Sequence, residues 1–324
     1  MRVSRTASFS VAAVLAAASL SVPVAARAPF GGIVVFGTSL SDPGNAFALR
    51  GGTNTPPDYL VDPFLVPSAP YARGGHHFSN GATWVEQFAQ GRGLAGSVRP
   101  AFLGAAASAT NFAVGGARAR EDGINVNLAA QVDAFLEQSG GAASPDSLYV
   151  IEMGGNDIRD ALVAYVSGGG EAGAGAVLYD ANVAIATAVI RLYAAGARQF
   201  LVWRAPNVGL TPAIRALDSV NAGAIVLATG LSKGFNGGLD GAMANLSRLP
   251  GVSIARLDAE RILNDLVSSP ASFGLTNVTA ACITPDSAPF SCQTPDEFLY
   301  WDGIHPSRAV HAILAQETAA ALSY

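Results

Sequence analysis

Three times in the first half of the chain an apolar run rich in β-branched and aromatic residues stops at glycine. Residues 33–36 lead into Gly37-Thr38-Ser39, residues 109–114 into Gly115-Gly116, and residues 147–153 into Gly154-Gly155. Short apolar runs bounded by turn residues read as buried strands. Two further strands are predicted at 199–203 and 252–257. Between and after them the apolar spacing becomes helical, at 83–89, 128–138, 177–195, 213–246 and 259–267, with a final helix at 306–322. Asn80 or Thr83 is available to cap the first of these. Strand followed by helix, repeated along the chain, implies a parallel sheet covered on both faces. No break in composition marks a second domain, and no internal repeat is visible.

Open α/β sheets bind ligands at the carboxyl ends of their strands, so the residues just past the glycines carry the functional argument. After the first strand stands Ser39, a small nucleophile. Ser41, Asp42 and Asn45 can bond nearby backbone N–H groups, and Pro43-Gly44 fits a tight turn. This segment by itself reads equally as a strand with a polar turn or as the seat of a catalytic serine. Acyl transfer by a serine also needs a base, a group that orients the base, and donors for the oxyanion. The chain has 4 histidines. His305 stands out in Trp301-Asp302-Gly303-Ile304-His305-Pro306-Ser307. Pro306 suits the first position of the last helix and keeps His305 extended. Gly303 lets the chain bend so that Asp302 reaches Nδ1 and Nε2 is left for the serine. His311, within the last helix, reads as a surface or internally satisfied residue. Gly115-Gly116 allows a backbone N–H to approach a ligand closely, and Asn156 in Gly154-Gly155-Asn156-Asp157 can donate without carrying charge. Each signal is weak alone; their recurrence at successive strand ends is the stronger argument.

Composition bounds the alternatives. Of 324 residues, 50% are hydrophobic and 13% charged, which favours an extensive core over disorder. The net charge is −5, and Lys233 is the sole lysine among scattered arginines, so nothing tracks a nucleic-acid backbone. Arg2 and Arg5 precede an apolar run at 9–20 and a small-residue end, the pattern of a Sec-type signal peptide over residues 1–28, cut after Ala26 or Ala28. A retained anchoring helix is the alternative. The domain would then occupy 29–324 and be secreted or periplasmic. No other segment reads as long and apolar enough to cross a bilayer. Cys282 and Cys292 flank a proline-containing loop, and an oxidising compartment makes a disulfide the expectation over two buried thiols. Its chain-entropy contribution would be about 3 kcal/mol. No metal or cofactor is expected. His76-His77 reads as an accidental polar pair in preference to a metal site. Prolines 56, 57, 63, 67 and 70 rule out a continuous helix or central strand over 44–81. With Tyr59, Leu60, Val61, Phe64, Leu65 and Val66, this stretch reads as a lid or a wall of the substrate site.

The four stretches around Ser39, Asn111 to Ala117, Gly154 to Asp157 and Asp302 to Pro306 resemble, in order, the four blocks of the SGNH (GDSL-type) hydrolases. Phe78-Ser79-Asn80-Gly81 and the paired cysteines are similar to the secreted lipase/esterase branch. The resemblance implies a three-layer α/β/α sandwich with a parallel sheet of about five strands, flavodoxin-like in plan. It implies Ser39 as nucleophile, His305 as base and Asp302 as its orienter. The oxyanion hole would be the Ser39 N–H, the Gly116 N–H and the Asn156 side chain. The family usually has Asp where this chain has Thr38, a change that leaves the triad intact but bears on the set of the nucleophile loop. The function so implied is a carboxylic-ester hydrolase working through an acyl-enzyme; the bulky apolar residues between Gly44 and Gly81 point to small-molecule or lipid-like ester substrates, and a monomer is expected. A sugar O-acetylesterase, an acyltransferase and a catalytically silent binding protein are the competing readings.

Overall fold

The computed structural model describes residues 30–55, 66–104, 108–284 and 291–322, besides Met1. The segment read as a signal peptide lies outside the described residues. So do Tyr59, Leu60, Val61, Phe64 and Leu65 of the proline-rich stretch.

The elements run β1 (Gly32–Gly37), α1 (Asn45–Leu49), α2 (Trp84–Gln90), α3 (Leu128–Gln138), β2 (Ser147–Glu152), α4 (Gly155–Ala164), α5 (Gly170–Ala195), β3 (Gln199–Arg204), α6 (Pro212–Val220), α7 (Ala224–Leu246), β4 (Ser253–Asp258), α8 (Ala259–Ser268), β5 (Asn277–Ala281), β6 (Phe298–Tyr300) and α9 (Arg308–Ala321). The main sheet is parallel, in the order β1-β2-β3-β4, with Val35 opposite Val150, Val150 opposite Leu201, and Leu201 opposite Ala255. Successive side chains on a strand face opposite ways, and the core divides accordingly. Val34, Phe36, Tyr149, Ile151 and Phe200 pack against α3, α4, α5 and α7. Ile33, Val35, Leu148, Val150 and Trp203 pack against α2, α8 and α9. Both faces are covered, so the strands are continuously apolar and not alternating. The result is the mixed α/β sandwich that the strand-then-helix pattern implies.

Several expectations need correction, each for a local reason. Among the described residues the sheet has four strands, where about five were expected. Residues 109–114 do run beside β1, through Val35 N–H to Thr110 O (2.9 Å), Phe112 N–H to Val35 O (2.8 Å) and Val114 N–H to Gly37 O (3.1 Å). They form only isolated bridges at Asn111, to Val35 and to Pro100, because the next ladder donor of β1, the Gly37 N–H, goes to Gln131 Oε1 (2.9 Å). The Asn45 amide donates to the carbonyls of Asn111 and Ala113 (2.8 Å each), and the Ala113 N–H is held by Asn111 Oδ1. An otherwise open sheet edge is thereby closed. The predicted helix over 213–246 is two helices. Gly223 takes φ 101°, and the Asp218 carboxylate accepts from the N–H groups of Gly223 and Ile225 at the start of α7. The last helix begins at Arg308, not Pro306: Ser307 is its cap, while Pro306 bridges Tyr300. Thr83, not Asn80, caps α2, with the Glu86 carboxylate accepting from its N–H at 2.8 Å. Asn80 instead accepts from the Arg308 N–H.

The Gly154-Gly155-Asn156-Asp157 turn opens a helix, α4, that the sequence pattern did not show. The helical region 155–195 is, by length and composition, long and apolar enough to cross a membrane, contrary to expectation. It is broken at Gly168 (φ 97°), and α5 buries Ala181, Ile185, Val189 and Leu192 in the core. Cys282 and Cys292 are joined in a disulfide, their Cα atoms 5.6 Å apart.

Candidate active site

β1 and β2 end at the same rim of the sheet, and the turn after β1 is fixed almost entirely by side chains. The Asp42 carboxylate accepts from the N–H groups of Gly44 (2.8 Å), Asn45 (2.6 Å), Ala46 (3.1 Å) and Gly115 (2.8 Å). Burial pushes Asp42 up to about 6, against those four backbone bonds, which pull it down. Of the three residues expected to bond nearby N–H groups, only Asp42 does so. Asn45 reaches across to the segment beside β1. The Ser41 hydroxyl donates to Glu152 Oε2 (3.1 Å) and accepts from Trp84 Nε1 (2.9 Å).

Glu152, the last residue of β2, lies beneath the nucleophile turn. Its carboxylate accepts from the Thr38 N–H (3.0 Å) and the Thr38 hydroxyl (3.0 Å) as well as from Ser41. Burial pushes it up to about 7, the bonds from Thr38 and Ser41 opposing the rise. Thr38 therefore anchors the turn to β2 and does more than make a local bond. Sequence reasoning passed over Glu152, although a single carboxylate in an apolar strand is a legible sign of a buried polar contact.

The C-terminal turn comes from the opposite end of the chain. β6 pairs with β5, and the Trp301 N–H returns to the His305 carbonyl (2.7 Å), closing a tight loop. Asp302 Oδ1 accepts from the N–H groups of Ile304 (3.0 Å) and His305 (2.8 Å), and Oδ2 lies 2.7 Å from His305 Nδ1. His305 Nε2 is 2.9 Å from Ser39 Oγ, across 266 positions of sequence. Phe78 leans on the imidazole, with ring centroids 5.3 Å apart. Tyr71, which no sequence signal singled out, donates its hydroxyl to Asp302 Oδ2 at 2.7 Å from within the proline-rich stretch. All these side chains are buried or nearly so, Ser39 and Asn156 being 8% exposed.

Asn156, on the first turn of α4, gives one amide hydrogen to the Ala117 carbonyl (2.8 Å) and has a second to offer. Gly116 has φ 89°, open to glycine but strained for other residues. The N–H of Gly115 is already bound by Asp42 (2.8 Å). His76 and His77 part company: His76 stacks on Phe47 and meets Asn54, while His77 Nε2 lies 2.9 Å from Glu86. His311 is buried, not on the surface. Its Nδ1 accepts from the Trp84 N–H (3.1 Å), and burial pulls it down to about 3, keeping it neutral.

Two clefts meet at Ser39, Asn156, Arg159, Ile304 and His305. The narrower, about 70 Å³, is apolar, walled by Leu40, Pro206, Val208 and Ile214. The wider, about 240 Å³, is polar, with Arg50, Arg118 and Asn125. Val66, from the stretch read as a lid or wall, lines this second cleft.

A parallel α/β sandwich with a serine, an imidazole and a carboxylate in hydrogen-bonded series at one strand rim describes an acyl hydrolase. The chain belongs to the GDSL-like lipase/acylhydrolase family, whose profile matches residues 33–318. It is an ester-bond hydrolase. Similar proteins include a GDSL esterase/lipase of Arabidopsis thaliana, 26% identical over 341 residues and covering 93% of each chain. The phosphatidylcholine-sterol acyltransferase of Aeromonas hydrophila is 25% identical, covering 90% of each. Esterase EstA of Pseudomonas aeruginosa is 29% identical over 97% of this chain, which spans 50% of EstA.

Proposed function

We propose that the protein is an exported serine carboxylic-ester hydrolase of the lipase/esterase type that works through an acyl-enzyme. The observation that carries this reading is the continuous series from Ser39 Oγ to His305 Nε2 (2.9 Å) and from His305 Nδ1 to Asp302 (2.7 Å). His305 takes the hydroxyl proton as Ser39 Oγ attacks the ester carbonyl, then returns it to the departing alcohol. Water, deprotonated by the same imidazole, releases the acid and restores the serine. Asp302 holds the ring in the tautomer this requires, and its remaining capacity is met by Tyr71 and two backbone N–H groups, so it stays put while charge moves. The Ser39 N–H, Gly116 N–H and Asn156 amide are the donors for the developing oxyanion, each typically worth about 3 kcal/mol. Export is supported by the N-terminal pattern of residues 1–28 and by the disulfide.

Ser39→Ala is expected to abolish hydrolysis of p-nitrophenyl esters while leaving the circular dichroism spectrum unchanged. Equal turnover by the variant and the parent would reject the assignment. The similarity to an acyltransferase favours a second outcome at the same centre, in which an alcohol intercepts the acyl-enzyme in place of water. Ester products formed on adding a lipophilic alcohol would report it.

A further inference from the structure

The Gly116 N–H belongs to a β-turn, Val114 to Ala117, closed by the Ala117 N–H on the Val114 carbonyl at 3.1 Å. Gly116, at the third position, has φ 89°, the value of a type II turn. A type I turn keeps the same closing bond with the central peptide, between Gly115 and Gly116, reversed. Glycine on both sides of that peptide makes the reversal sterically cheap. In a trans peptide the carbonyl and the N–H point opposite ways. Reversal would swing the Gly116 N–H away and present the Gly115 carbonyl, an acceptor, in its place.

The neighbouring peptides are well held. Asp42 Oδ2 accepts from the Gly115 N–H (2.8 Å), and Arg118, itself paired with Asp160, donates to the Gly116 carbonyl. On the central peptide the hold is Arg50, whose Nη2 donates to the Gly115 carbonyl at 3.3 Å. Among the described residues the Gly116 N–H meets no acceptor, so the peptide is not gripped from its other side. Arg50 is set in place at the end of α1, where its own N–H donates to the Ala46 carbonyl (3.1 Å) and its carbonyl accepts from the Thr53 hydroxyl (3.2 Å). Unlike Arg118, it forms no ion pair among the described residues, and it lines the wider cleft together with Ser39, Gly116, Asn156 and His305.

We propose that Arg50 is a positioning residue of the oxyanion hole, its guanidinium holding the peptide between Gly115 and Gly116 in the orientation that offers the Gly116 N–H; this rests on Ser39 as nucleophile and Gly116 as donor. A cation on the carbonyl also polarises the peptide and strengthens its N–H as a donor. The benefit arises when negative charge develops on the substrate oxygen, so it belongs to kcat and not to KM.

The test compares the parent with Arg50→Met and Arg50→Lys on p-nitrophenyl butyrate, with rates expressed per site titrated to completion by a fluorophosphonate. Inhibition by a trifluoromethyl ketone is measured alongside. Ser39 Oγ adds to its carbonyl, the proton passes to His305, and a tetrahedral oxyanion remains. Arg50→Met should lower kcat per site about tenfold and weaken the ketone by a similar factor, with KM within about twofold of the parent's. Arg50→Lys, which keeps a cationic donor, should lose less, and serves if methionine hinders folding. A raised KM at parental kcat would make Arg50 a substrate contact and overturn the proposal. So would a fall in kcat with undiminished affinity for the ketone, or a loss confined to the number of titratable sites. Asn156→Ala separates the two readings. Parental kcat in that variant would count against the oxyanion hole itself, whereas a loss there beside parental kcat in Arg50→Met would overturn the role of Arg50 alone.

Discussion

The Thr38 hydroxyl and its own N–H both donate to Glu152, a carboxylate only 4% exposed, and the Ser41 hydroxyl donates to it too. An aspartate at position 38, usual in the family, would lack the hydroxyl that here donates to Glu152. Threonine and Glu152 thus form one unit across the sheet, and this partnership fixes the set of the nucleophile loop. Burial raises Glu152 from 4.5 to about 7. A carboxyl raised on folding contributes stability that is fully present below the unfolded value and is lost as pH rises through the folded one. The window is therefore about pH 4.5 to 7, and the loss amounts to about 3 kcal/mol. Glu152→Gln retains an acceptor for Thr38 and has no proton to lose. It should be more stable than the parent at pH 8, with a flatter stability profile across that window in urea denaturation. A variant profile as steep as the parent's would contradict the role given to this carboxyl.

Junctions between elements set the positions of the chemistry. Gly154 joins β2 to α4 with φ 118°, and a Cβ there would run into the ring of Phe235 on α7. Gly155, one residue on, has nothing within 4 Å of the same position. Gly154→Ala should cost about 3 kcal/mol, from backbone strain and overpacking together. Gly155→Ala, inside α4 and with room for a Cβ, should be neutral or stabilise by up to about 1 kcal/mol. Equal losses in chemical denaturation would show that backbone conformation does not control this junction. The strands and their glycine ends were legible because apolar runs and turn residues are local signals. α4 was not, because its first turn is spelled Gly-Gly-Asn-Asp, a loop by composition, and packing on α5 and α7 overrides that preference. Likewise nothing local in residues 109–114 shows that the Gln131 side chain takes the Gly37 N–H that a fifth strand would need.

Across the whole molecule, segments from both ends of the chain converge on one rim. The residues of the candidate site were legible because each lies in a short motif of its own. What surrounds them was not. Tyr71 sits in a proline-rich stretch with no periodicity, and the narrow cleft at Ser39 is lined from the loops after β1, β3 and β6 together with α4 and α6, a juxtaposition that only the fold creates. In the proposed reaction Ser39 Oγ is the atom that bonds to the acyl group. Treating the active protein with a fluorophosphonate and mapping the adduct by peptide mass spectrometry tests this directly. The prediction is a single phosphonyl group on the peptide containing Ser39, formed in step with loss of esterase activity and absent in His305→Ala. Complete inactivation with the label on a different residue, or full activity retained by protein labelled at Ser39, would contradict it.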